Sequence, residues 1–151
     1  MSSTEEPLIE RKPLIAIVSR AVRLLATDLL REAHERGHTQ IRQAHDPVFA
    51  TLPQEGARAS DMAARAGITK QSMGEAIRDM VGLGLLEMTE DPDDRRAKLV
   101  RFTDAGLEVA QDGKRYMRVL EQQWIDKFGK QEYETAREVL EGIVEMMTPA
   151  Q

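Results

Sequence analysis

The stretch from residue 58 to residue 106 constrains the fold of this chain more than any other part of it. It contains two short apolar-patterned segments separated by Gly67, and these precede two β-prone segments. Ser60 and Thr69 are predicted N-caps of two short helices, and Gly67 is the turn between them. The order predicts a helix-turn-helix whose second helix covers residues 69–82.

The second half of this stretch predicts a β-hairpin. Strands are predicted near residues 85–89 and 97–102, where apolar and polar residues alternate. The loop between them, residues 90–95, is acidic at its start and ends at Arg95. Arg96 follows directly, so two arginines are adjacent at the end of the loop. A helix-turn-helix followed by such a hairpin is the pattern of a winged helix.

Long apolar periodicities lie on both sides of the motif. Apolar residues recur at three- and four-residue steps over residues 8–36 and 104–147, which predicts long helices. A shorter helix is predicted over residues 39–52, with a bend or a restart near Asp46 because Pro47 lacks an N–H. These helices are longer than the core of one small lobe requires, so we expect them to pack against a second chain. The alternative is a long core helix in a monomer. The expected dimer contacts are Leu14, Ile15, Val18, Val22, Trp124, Leu140, Ile143 and Val144.

The predicted architecture is mainly α with a small β-hairpin wing. We expect a single domain, residues 1–151, in which residues 8–36 and 104–147 are dimerisation helices. The winged helix-turn-helix lobe is predicted over residues 39–103. Trp124 and Tyr116 have the helical spacing of core residues, with a ligand pocket as the alternative.

Composition excludes several classes of function. The chain has no cysteine, so disulfides, thiolate metal sites and cysteine nucleophiles are excluded. No apolar run approaches the roughly 20 residues of a membrane span, and the acidic N-terminus does not resemble a signal peptide. We therefore expect a cytoplasmic protein without a membrane partner. No nucleophile elbow, phosphate loop or zinc-protease motif is present, so an enzyme is not expected.

The distribution of charge permits a nucleic-acid partner. The chain carries a formal net charge of −5. Residues 58–101 contain eight basic and eight acidic residues, so this segment is neutral and the excess acid lies outside it. Affinity for DNA depends on the positive charge that faces phosphates and not on the total charge.

The residue types on the second helix and on the hairpin suit DNA. The first turn of a recognition helix lies nearest the base edges, and its free N–H groups favour phosphate. An arginine on a narrow wing suits the minor groove, where the negative potential is deepest. Asp94 could hold an arginine in a bidentate pair and so orient it. The alternatives to DNA binding are that the helix contacts only solvent and that the charged turn has no binding partner. The predicted DNA-binding residues are Thr69, Lys70, Gln71, Ser72, Glu75, Arg78, Asp94, Arg95, Arg96 and Lys98.

An ordered set of short motifs across residues 58–106 resembles the MarR (multiple antibiotic resistance regulator) family of winged-helix transcription factors. The set comprises the Ser60 helix, AGITKQSM at residues 66–73, LGLL at 83–86, DRR at 94–96 and FTDAG at 102–106. Phe102 departs from the family's commoner leucine. The flanking helices resemble the family only in length and placement.

The resemblance implies a function for the motif. It implies a homodimer that binds a near-palindromic operator in double-stranded DNA, with Arg96 in the minor groove and Asp94 orienting it. It further implies a repressor released by a small ligand, often aromatic or anionic. Oxidation sensing through cysteine is excluded, and no cofactor is expected.

Two alternatives remain open from the sequence. The acidic wing would also suit a winged-helix protein–protein adaptor that does not bind specific DNA. His34, His38 and His45 are close in sequence and could bind zinc. Gly37 is predicted to end the helix between the first two, and histidine at a helix C-terminus is also favoured by the helix dipole, so we expect no metal site.

Overall fold

The computed structural model describes residues 11–149 and divides the chain into two compact units, the first ending at Ala110 and the second beginning at Gln111. Since the boundary lies within one helix, the expectation of a single domain stays a prediction. The described elements are α1 (Leu14–Glu35), a 3₁₀ turn (Gln43–His45), α2 (Asp46–Thr51), α3 (Ala59–Ala66), α4 (Lys70–Gly82), β1 (Leu86–Asp91), β2 (Asp94–Phe102), α5 (Asp104–Phe128) and α6 (Lys130–Met147). The fold is mainly helical with one two-stranded hairpin, as predicted.

The first helix is shorter than predicted. Residues 8–10 of the predicted span lie outside the described residues, and α1 begins at Leu14, directly after its N-cap Pro13. Pro13 has a ψ of 143°, which is extended rather than helical. The helix ends at Glu35, with Gly37 at a φ of +94° two residues later.

The predicted helix over residues 39–52 is wrong in its first part. Residues 39–42 are not helical, the 3₁₀ turn follows, and α2 spans only six residues. The break near Asp46 is confirmed: Pro47 lies in the first turn of α2, where its missing N–H costs least.

The helix-turn-helix is confirmed, with one capping error. Thr69 caps α4, since its Oγ1 accepts the Ser72 backbone N–H at 3.0 Å. Gly67 ends α3 in the left-handed region at a φ of +65°. Ser60 is not an N-cap: α3 begins at Ala59, and its N-cap Arg58 makes no side-chain cap. Arg58 ends an extended segment whose preceding residue, Ala57, bridges to Val100, so tertiary pairing sets the start of α3.

The hairpin strands are longer and the turn is shorter than predicted. The antiparallel ladder runs from the pair Leu86–Phe102 to the pair Asp91–Asp94, which leaves a two-residue turn at residues 92–93. The pairing passes from Glu90–Lys98 directly to Asp91–Asp94. Residues 95–97 therefore have no partner in the ladder, and we call them the wing bulge.

The core of the first unit lies between α2, α3, α4 and the hairpin. One close approach fixes the entry of α5: a Cβ added at Gly106 would lie 1.9 Å from the backbone oxygen of Leu85. Thr103 caps α5 by accepting the Gly106 N–H at 3.1 Å, and its hydroxyl donates to the Gly84 carbonyl at 2.6 Å. The largest fully buried side chains are Met62, Met73, Met80, His45, Val48 and Val100.

The second unit has no buried residue among residues 111–149. It comprises the rest of α5 and α6, whose exposed apolar side chains include Leu140, Val144 and Met147. Trp124 and Tyr116 are half-buried. None of the helices within residues 11–149 is both long enough and apolar enough to cross a membrane.

Candidate nucleic-acid interface

Helix α4 presents a polar face because most of its apolar side chains are buried on the opposite side. Met73, Ile77 and Met80 are buried in the core, which holds the opposite side of the helix outward. The first turn on that side exposes Lys70, Gln71 and Ser72. This turn can therefore offer hydrogen-bonding side chains and a helix N-terminus to a ligand.

Hydrogen bonds between neighbours order this polar face. Gln71 Nε2 donates to Glu75 Oε1 at 3.2 Å, and the hydroxyl of Thr69 donates to that of Ser72 at 2.9 Å. A Cβ added at Gly74 would lie 3.1 Å from Arg78 Nη1, so the Arg78 guanidinium lies back along the helix toward Gly74. All the candidate residues predicted on α4, and its N-cap Thr69, are exposed.

The wing exposes the predicted basic residues in an irregular part of β2. Arg95 and Arg96 lie in the wing bulge, not at the turn itself. Both are exposed, and neither side chain has an ion-pair partner within residues 11–149. Bulges redirect side chains away from the ladder. Lys98, which pairs with Glu90, is also exposed.

Asp94 acts on the backbone of the wing. Its Oδ1 accepts the backbone N–H of Arg96 at 3.0 Å. Within residues 11–149 Asp94 forms no ion pair with an arginine, so the expected bidentate pair is not present there. An aspartate side chain that accepts the backbone N–H two residues on forms an Asx turn, which is common in turns.

The wing acid that does pair with an arginine is Asp91, which sequence reasoning missed. Asp91 is 5% exposed, and its Oδ2 accepts from both Nε and Nη2 of Arg58 at 2.7 Å. Its Oδ1 accepts the backbone N–H of Asp93 at 2.9 Å. The Asp93 amide and then the Arg58 guanidinium hold the pKa of Asp91 below its usual value. The Asp-Pro-Asp sequence signals such a turn, but nothing local identifies Arg58 as the partner.

A second missed network joins α4 to the 3₁₀ turn. His45 is fully buried, its Nδ1 accepts the Arg42 N–H at 3.1 Å, and its Nε2 lies 2.5 Å from Asp79 Oδ2. Because Nδ1 is an acceptor, Nε2 carries the proton and donates to Asp79. Arg42 Nη2 also donates to that oxygen at 2.5 Å, and the Arg42 and His45 hydrogen bonds lower the pKa of Asp79.

The histidines are engaged in the fold. His34 Nε2 lies 2.7 Å from the Ile41 carbonyl oxygen, and His45 binds Asp79. No cluster of three or more potential metal ligands occurs in the part of the chain that the structure describes.

The residues expected at a dimer contact remain uncovered or only partly covered in one chain. Val18 and Trp124 are half-buried. The others, Leu14, Ile15, Val22, Leu140, Ile143 and Val144, are exposed.

Comparison with known proteins identifies the segment that carries this geometry. Residues 42–97, from the 3₁₀ turn to the wing bulge, match the sequence model of the MarR family. An uncharacterized protein of Mycobacterium tuberculosis is 31% identical over 81 residues, which cover 54% of this chain and 52% of that protein. The chain thus spans about half the length of the curated relatives it matches.

Solved structures share the fold over most of the chain. A MarR family transcription regulator has a TM-score of 0.72 at 14% identity, covering 87% of this chain and 86% of that one. CouR from Rhodococcus jostii RHA1, bound to p-coumaroyl-CoA, has a TM-score of 0.71 at 20% identity, with coverages of 89% and 93%. A MepR variant of S. aureus bound to an oligodeoxyribonucleotide has a TM-score of 0.55 at 14% identity, with coverages of 91% and 100%.

The geometry and the comparisons agree with the resemblance in the sequence. The recognition-type helix, the wing and the buried core between them all lie within or next to the matched residues. Residues 42–97 match the sequence model of the MarR family, and over most of its length the chain has the same fold as solved MarR family transcription regulators.

Proposed function

We propose that this protein is a homodimeric DNA-binding transcriptional regulator that reads a near-palindromic operator. The observation that carries the proposal is the exposed polar first turn of α4 together with the exposed arginines of the wing bulge. These two basic or hydrogen-bonding surfaces belong to one compact unit with one core.

Each surface suits one groove of B-DNA. Gln71 and Ser72 can hydrogen-bond base edges in the major groove, while Lys70 and Arg78 can reach phosphate or guanine. Arg96 is the proposed minor-groove contact, with Arg95 and Lys98 on the backbone. The Asp94 carboxylate orients Arg96 by accepting the backbone N–H of Arg96. Glu75 orients Gln71 by accepting a hydrogen bond from its side-chain amide.

The neutral charge of residues 58–101 explains why two lobes are needed. A lobe without net positive charge gains little from the general attraction of phosphates. Two lobes joined by the exposed apolar faces of α1 and α6 would add their contacts on half-sites about one helical turn apart. The MepR variant bound to an oligodeoxyribonucleotide supports DNA as the partner of this fold.

We further propose that the protein is a repressor released by a small aromatic or anionic ligand. CouR, which shares the fold, is bound to p-coumaroyl-CoA, a ligand that is both aromatic and anionic. Addition of phenolic and carboxylate compounds to the protein–DNA complex would identify a releasing ligand.

Binding to duplexes of about 30 base pairs, tiled across the DNA upstream of the protein's own gene, tests the proposal. We expect one tile to bind at least about tenfold more tightly than its shuffled sequence. The logarithm of the affinity should fall linearly with the logarithm of salt concentration. No preferred tile would contradict specific reading, and a flat salt dependence would favour a protein–protein adaptor.

A further inference from the structure

The segment that leads into α3 is bonded to the wing at two adjacent positions. Ala57 pairs with Val100 through two backbone hydrogen bonds of 2.8 and 3.1 Å. The next residue, Arg58, binds Asp91 at the end of β1 through Nε and Nη2, both at 2.7 Å. The wing is therefore joined to the start of the helix-turn-helix by a backbone bridge and an ion pair.

The hydrogen bonds and burial of the Asp91 carboxylate fix its position at the end of β1. Both of its oxygens are occupied, Oδ2 by the guanidinium and Oδ1 by the Asp93 N–H. The residue is 5% exposed, so water competes weakly for these bonds. Charge-assisted pairs with two donors fix direction as well as distance.

The location of Asp91 in the ladder gives the ion pair a consequence for the arginines. Asp91 pairs with Asp94, and the preceding pair is Glu90 with Lys98. The wing bulge is therefore closed on one side by Asp91. A shift of Asp91 along or across the ladder would change where the bulge begins and where Arg95 and Arg96 point.

We propose that Arg58 and Asp91 are positioning residues that hold the wing bulge in the orientation required for DNA binding. This inference rests on the proposed function and adds to it a pair of residues that act through Arg95 and Arg96. Neither Arg58 nor Asp91 needs to touch DNA.

Asp91 could act on DNA binding by repelling phosphates or by positioning the wing bulge. The two roles predict opposite effects on DNA affinity when Asp91 is replaced by asparagine. Removal of a negative charge from a DNA-binding surface should strengthen binding if the charge acts only by repulsion. Loss of the positioning pair should weaken binding instead. Asp93 provides a matched control, because it carries the same charge in the same turn and its exposed side chain is not part of the pair.

The experiment compares Asp91→Asn with Asp93→Asn on the preferred upstream duplex and on its shuffled sequence. We expect Asp91→Asn to weaken binding to the preferred duplex roughly tenfold, and Asp93→Asn to leave it unchanged or slightly tighter. Combined with Arg96→Ala, Asp91→Asn should add little further loss, because both changes remove the same contact. Equal or tighter binding by Asp91→Asn would overturn the proposal.

A second measurement is independent of DNA. Amide hydrogen exchange in the free protein should become faster at residues 93–98 in Asp91→Asn and stay unchanged there in Asp93→Asn. Arg58→Lys, which keeps the charge but loses the two-donor geometry, should give an intermediate rate with the fold intact. Unchanged exchange in Asp91→Asn would overturn the positioning role.

The two measurements separate the failure of this inference from that of the proposed function. If the unmodified protein prefers no duplex, the proposed function fails, and the role in DNA binding fails with it. The exchange rates then still decide whether the pair holds the bulge.

Discussion

Arg96 shows how a surface residue depends on neighbours that it does not touch through its side chain. Its backbone amide is held by Asp94, and it lies in a bulge closed by Asp91, while its guanidinium is exposed. The resemblance in the sequence implied that Asp94 orients Arg96. It could not identify the nature of their bond, because backbone and side-chain acceptance are equally compatible with that spacing.

We expect Arg96→Ala to weaken operator binding by about tenfold or more. The slope of log affinity against log salt concentration should fall in magnitude by about one. The protein should stay folded because the Arg96 side chain is exposed. Fluorescence anisotropy on the preferred duplex, with circular dichroism for the fold, measures both. Arg20→Ala on α1 removes the same charge from an exposed helix and should have a small effect. Equal losses for the two variants would argue against a wing contact.

The elements that the sequence predicted well are those whose ends are set locally. Thr69 and Thr103 each cap the following helix through a neighbour three residues on, so α4 and α5 begin where expected. The start of α3 was predicted wrongly because the bridge between Ala57 and Val100 decides it. A pairing between residues 43 positions apart leaves no local signal.

The two glycines of α5 should respond in opposite ways to replacement by alanine. Gly106→Ala should destabilise the fold by about 1–3 kcal/mol, because its Cβ would meet the Leu85 backbone oxygen, which cannot move aside cheaply. Gly113→Ala is the control: nothing lies within 4 Å of its Cβ. It should stabilise α5 by about 0.5–1 kcal/mol. Urea unfolding of both variants tests the pair, and similar midpoints would refute the close approach.

For the whole molecule, the exposed apolar faces are the main evidence for a partner chain. Neither α1 nor α6 has a buried residue in the single chain. Ile15, Val22 and Val144 are all more than half exposed. Apolar side chains exposed along one face of a helix are typical of a surface that another chain covers. The dimer remains a proposal, as does the pairing of lobes on DNA.

We expect the protein to sediment as a dimer and the double variant Leu140→Glu with Val144→Glu to sediment as a monomer. Burying these charges without partners in an apolar contact is costly. The monomer should also lose most of its operator affinity, since one neutral lobe binds DNA weakly. Glu138→Ala changes an exposed charge on the same helix and should remain dimeric. A dimeric double variant would place the contact elsewhere.

Sequence alone predicts the order of elements, the recognition-type helix and the arginines on the wing. These follow from periodicity, caps and turn residues, which act over three or four neighbours. The tertiary structure shows which acid of the wing pairs with an arginine and what His45 binds. Asp91 binds Arg58, and His45 binds Asp79, across 33 and 34 positions of chain. Such bonds depend on which surfaces the fold brings together, and no local pattern records that.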